Sequence, residues 1–149
     1  MSHGWKFGGA APAANGKIIF APYTADSVGI FDPADDSFQL VDISAQLSDD
    51  YKFGGAAPAA NGKIIFAPYN ADSVGIFDPA DDSFQFVEIS AQLSNDWKFR
   101  GAAPTANDKI IFAPFHADSV GIFDPAALLA AAPGCTFYIL LWRWHVPAA

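Results

Sequence analysis

The stretch NGKIIFAPYTADSVGIFDPADDSFQLVDIS, Asn15 to Ser44, returns almost letter for letter from Asn61 to Ser90, and its first two-thirds return from Asn107 to Pro125. Lys6, Lys52 and Lys98 mark a period of 46 residues. Copy one (Trp5 to Asp50) and copy two (Tyr51 to Asp96) differ at only five positions. A period of that size, built of short extended runs, marks an array of supersecondary units stacked on their neighbours.

Each copy reads as four extended runs separated by turn signals. Phe7 to Ala13 (FGGAAPA) is made of small residues, which suit a strand where backbones approach closely. Asn15-Gly16 follows and is a strong hairpin signal; copy two keeps it as Asn61-Gly62, and copy three has Asn107-Asp108. Lys17 to Ala21 is β-branched and aromatic, apolar on both faces, and expected to end or bulge at Pro22, which has no N–H to donate. Ser27 to Phe31 is the third run and Asp32-Pro33 closes it, with Ala34-Asp35-Asp36 as a turn cluster. The fourth run, Ser37 to Ile43, carries Gln39 and Asp42 and suits a polar outer edge. No repeat segment has a helical period.

Four strands in 46 residues, small inside and polar outside, match one blade of a β-propeller. KIIFAPYTADSVGIFDPADDSFQLVDI resembles the YVTN-type propeller repeat: an apolar strand, an aromatic at its end, a polar loop, Ser-Val, a second apolar strand, then Asp and a turn. It departs at Pro22, where that family usually carries a polar residue. The resemblance implies an all-β array of about three four-stranded antiparallel blades and says little about activity.

Three blades are fewer than the four to eight that close a ring. A blade face about four strands wide and five residues long covers roughly 300 Å², and apolar patches of that size mark interfaces. The array is therefore expected either to stay open or to be completed by oligomerisation or a partner. Repeats 5–50, 51–96 and 97–125 make a repeat domain, 1–125, followed by an apolar tail, 126–149. Thr136 to Leu141 suits the missing outer strand of blade three. Alternatively the tail is an anchor: Ala126 to Trp142 is uncharged, though Pro133-Gly134 interrupts it, and Trp142-Arg143-Trp144-His145 resembles an interfacial belt.

With a net charge of −8 and only eight Lys and Arg, the chain repels phosphate backbones, so nucleic acid is not an expected partner. Cys135 is the lone cysteine, which excludes an internal disulfide. MSHGWKFGG shows no secretory signal, so an intracellular setting is expected, with peripheral membrane contact if 126–149 is an anchor.

Trp5, Tyr51 and Trp97 recur before the inner strand and suit either filling the wedge between blades or stacking on a sugar or peptide. Lys6, Lys52 and Lys98 follow them and are expected to form surface pairs with Asp49, Asp50 or Asp96. Asp26, Asp72 and Asp118 recur in one loop, and Asp32, Asp78 and Asp124 in another. Each set suits local Asx turns better than a ring of cation ligands. Positions that break the repeat are candidates for partner contact: Thr24, Asn70 and His116 at one loop site, and Arg100 where earlier copies have glycine. In the tail, Phe137, Tyr138, Trp142 and Trp144 are further candidates. His3, His116 and His145 lack zinc spacing. No GxSxG, GxxxxGK[ST], GxGxxG or CxxC occurs, and near-identical repeats supply few distinct groups for catalysis. A non-enzymatic module for protein association, without cofactor or metal, is the expected function. Carbohydrate or small-ligand binding, and a peripheral subunit docked on a membrane complex, are the alternatives.

Overall fold

A computed structural model describes residues 4–129 and 137–141. It contains twelve strands in three four-stranded antiparallel sheets. Blade one is β1 (Phe7–Pro12), β2 (Ile18–Pro22), β3 (Ser27–Asp32) and β4 (Ser37–Asp42), paired in chain order. Blade two repeats this as β5 (Phe53–Pro58), β6 (Ile64–Pro68), β7 (Ser73–Asp78) and β8 (Ser83–Glu88). Blade three is β9 (Phe99–Pro104), β10 (Ile110–Pro114), β11 (Ser119–Phe123) and β12 (Phe137–Leu141).

The turns follow their residues. The β1–β2 loop is closed by Gly16 N–H donating to Ala13 O (3.0 Å) and Ala13 N–H to Lys17 O (2.8 Å). Gly16 and Gly62 have φ of +85°, which glycine adopts freely. Asp108 takes the same place in blade three at φ +64°. Each second strand ends on its proline, and the register slips opposite it, between Phe7 and Gly9 in blade one. Asp32, Asp78 and Asp124 accept the N–H of Ala34, Ala80 and Ala126 as Asx turns.

β12 lies in the tail. Phe137–Leu141 pairs along β11, from Phe123↔Phe137 to Ser119↔Leu141, and a short 3-10 helix, Pro125–Leu129, leads toward it. Blade three is thus completed across the boundary expected after Pro125. Trp142 and Trp144 lie outside the described residues. No described helix is long and apolar enough to cross a membrane.

The core consists of two near-copies of one joint. Between blades one and two, Ala11, Ile19, Ala21, Val28 and Ile30 receive Phe53, Ile64, Phe66 and Phe77. Between blades two and three, Ala57, Ile65, Ala67, Val74 and Ile76 receive Phe99, Ile110, Phe112 and Phe123. One side of each blade is therefore small and aliphatic and the other aromatic. Glycine keeps the inner strands close: a Cβ on Gly8 would overlap Phe53 O, and one on Gly54 would sit 2.6 Å from Phe99 O.

Candidate functional site

The polar elements of the joint come from one lysine per blade. Lys52 is fully buried; its N–H donates to Tyr23 O (2.9 Å), and its Nζ reaches Ala25 O (3.1 Å) and Asp26 Oδ1 (3.2 Å). Lys98 repeats this with Tyr69 O (2.9 Å), Ala71 O (3.1 Å), Asn70 O (3.3 Å) and Asp72 Oδ1 (3.2 Å). The carbonyl of each lysine meanwhile accepts from its own blade: Tyr69 N–H and Ala71 N–H for Lys52, Phe115 N–H and Ala117 N–H for Lys98. Each lysine thus fastens its blade to the one before it. This corrects the expected surface pairs with Asp49, Asp50 or Asp96, because a flexible surface lysine has no reason to sit fully buried. It also gives Asp26 and Asp72 a role that Asx turns do not describe.

The expected aromatics at this end of the blades do not fill the wedge. Trp5, Tyr51 and Trp97 are 71%, 40% and 45% exposed, and the wedge is taken by Phe53 and Phe99. Tyr51 and Trp97 are held at φ +57°, an uncommon conformation for aromatic residues. The repeat-breaking loop position lies beside them: Thr24 Oγ1 donates to Trp5 O (2.9 Å), and Asn70 Oδ1 accepts from Trp97 N–H (3.0 Å). His116 packs edge-on to Trp97 (4.8 Å) and stacks on Phe115 (4.9 Å). Phe137 and Tyr138 part ways on β12. Phe137 is buried against Phe99 and Phe112, so it is core and not a partner contact, whereas Tyr138 is exposed and its hydroxyl accepts from Lys109 Nζ (2.8 Å). That bond holds the Lys109 ammonium above its ordinary pKa.

Sequence reasoning placed an aromatic at the end of the apolar strand but did not foresee the series it forms across the blades. Tyr23, Tyr69 and Phe115 directly follow the second strands and form a ladder, with ring centroids 5.3 Å and 5.8 Å apart. Their spacing of 46 was the signal that could have found them. With Trp5, Phe7, Gly8, Gly54 and Arg100, the two tyrosines line a cavity of about 300 Å³. The Arg100 guanidinium lies 5.5 Å over the Phe115 ring. Burial, then the hydrogen bond with Tyr69, pushes the Tyr23 hydroxyl up to about 12.

The chain is an all-β protein with β-propeller-type blades. Virginiamycin B lyase from Staphylococcus aureus, in a catalytically inactive form with quinupristin, superposes at a TM-score of 0.73 with 14% identity over 97% of this chain and 44% of its own. The WD40 repeats of RRP9 do so at 0.67 with 10% identity, over 97% and 41%. An extracellular domain from B. thetaiotaomicron gives 0.67 with 11% identity, over 91% and 18%. This chain spans less than half the length of each. No protein-family model matches the sequence, and no curated protein does.

Proposed function

We propose that this chain is a non-catalytic propeller module of YVTN type that works by protein association, as a scaffold or linker subunit. One observation carries the reading: each end of the array presents half of the joint that the interior makes twice. At one end the Phe7, Phe20 and Phe38 rings lie 5.6–6.2 Å apart, matching the Phe53, Phe66 and Phe84 cluster of blade two. Phe53 and Phe66 are fully buried and Phe84 half-buried, whereas their counterparts Phe7 and Phe20 are half-buried and Phe38 is 50% exposed. At the other end, Ala103 and Ala113 are exposed where Ala57 and Ala67 are buried. Apolar faces of this kind are covered in working arrays. The test is native mass: a species heavier than the 15.8 kDa chain is expected, and a compact monomer at every concentration contradicts the reading.

A second reading rests on the cavity of about 300 Å³, whose aromatic walls and Arg100 suit a planar or anionic small ligand, carbohydrate included. Loss of binding from a glycan or nucleoside panel in Arg100→Ala and Tyr69→Ala proteins checks it; a panel silent with the unaltered protein removes it.

A further inference from the structure

We propose that the partner is a second copy of this chain, docked head to tail, with Lys6 of one copy seated in a socket formed by Phe115, His116, Ala117 and Asp118 of the other. The proposal rests on the association reading above and specifies its partner. Lys6 is the lysine of blade one. Its carbonyl already accepts from Tyr23 N–H (2.9 Å) and Ala25 N–H (3.2 Å), as the carbonyls of Lys52 and Lys98 do in their own blades. Its N–H and ammonium have no partner among the described residues, and its side chain is exposed. Blade three carries the complement. Phe115, His116, Ala117 and Asp118 stand where Tyr69, Asn70, Ala71 and Asp72 receive Lys98. Asp118 is exposed and pairs with no described lysine or arginine.

The apolar surfaces match in the same register. Phe7, Phe20, Phe31 and Phe38 of one copy would enter the face of Ala103, Ile111, Ala113, Val120 and Ile122 of the other. Phe53, Phe66, Phe77 and Phe84 do this within the chain. Counting agrees: six is the one multiple of three between four and eight blades. Two joints, each covering two faces of roughly 300 Å², remove about 1,200 Å² from water, the lower limit of a stable specific interface.

One residue opposes a perfect copy of the inner joint. Arg100 replaces the glycine whose Cβ would meet the next blade's carbonyl. Gly101 beside it stands at φ +122°, and the Arg100 side chain would hold the new joint wider at its inner edge than the two inside the chain.

The test uses the whole chain, native mass and sedimentation. The unaltered protein is expected at about 32 kDa, twice the 15.8 kDa of one chain. Lys6→Glu and Asp118→Lys each put like charges into both joints, and each is expected to weaken the dimer at least about tenfold. Mixing the two variants restores a dimer, because one of its joints is then native at both positions. Both side chains are exposed, so unchanged melting of the single variants would show that the fold survives. A mixture that stays monomeric, or a dimer indifferent to both substitutions, overturns the head-to-tail socket but leaves association standing. A larger assembly does the same. A monomeric unaltered protein overturns both.

Discussion

Lys52 Nζ lies 3.2 Å from Asp26 Oδ1, with the lysine fully buried and the carboxylate 61% exposed. The pair joins two blades across 26 residues of sequence, and Lys98 with Asp72 repeats it. The ammonium also holds the Ala25 carbonyl, so removing it strands an acceptor under the joint. Lys52→Ala is expected to cost about 1–3 kcal/mol in denaturant unfolding. Asp26→Asn, at the wet end, should cost well under that.

Gly54 shows how tightly the inner strands are set. A Cβ there would meet Phe99 O at 2.6 Å and the Arg100 Cα at 3.2 Å, and both are backbone. Gly54→Ala is therefore expected to destabilise by about 1–3 kcal/mol, as an overpacked core does. Gly4→Ala, where nothing lies within 4 Å, serves as the control and should be near neutral.

Asp108 occupies the left-handed turn position that Gly16 and Gly62 hold elsewhere. Asp108→Gly relieves roughly 1 kcal/mol of backbone strain and is expected to raise the midpoint of thermal unfolding. An unchanged or lower midpoint would contradict the turn assignment.

Much of the blade was legible in the chain because its signals are local. The strand of each Lys-Ile-Ile-Phe-Ala run falls within one residue of its expected place, and Pro22 ends it because it lacks an N–H. The lysine fastening was not legible. Nothing within a few residues of Lys52 says that its ammonium is buried; the acceptors arrive from the previous blade once the faces stack. The exposure of Trp5, Tyr51 and Trp97 was hidden for a related reason, since Phe53 and Phe99, two residues further on than Tyr51 and Trp97, take the space between blades. Asp35 and Asp81 behave as turn residues would: hydrogen bonds from Ser37 and Ser83 hold their carboxyls below the usual range.

Tyr23 offers a pH signature. Burial raises its hydroxyl from 10.0 to about 12, so the neutral form favours the fold. Its contribution is complete below pH 10 and is lost as the pH rises toward 12. Ultraviolet titration should show Tyr23 ionising late, and Tyr69→Phe should bring it earlier by removing the second-largest cause.

If a second copy docks head to tail, Arg100 would prop open the joint between copies, and Arg100→Gly is then expected to tighten the dimer measured by sedimentation. It should also enlarge the cavity beside Tyr23 and Tyr69. A weaker dimer in this variant would place the partner copy elsewhere.

Amide hydrogen exchange at Lys6, compared with Lys52 in the same sample, tests coverage of the end faces most directly. The two N–H groups hold equivalent places, and Lys52 N–H donates to Tyr23 O across a joint at 2.9 Å. If a second copy supplies Phe115 O to Lys6, its amide is protected at high protein concentration and loses that protection on dilution. A Lys6 amide that exchanges freely at every concentration, beside a protected Lys52, would show the aromatic end of the array bare to water.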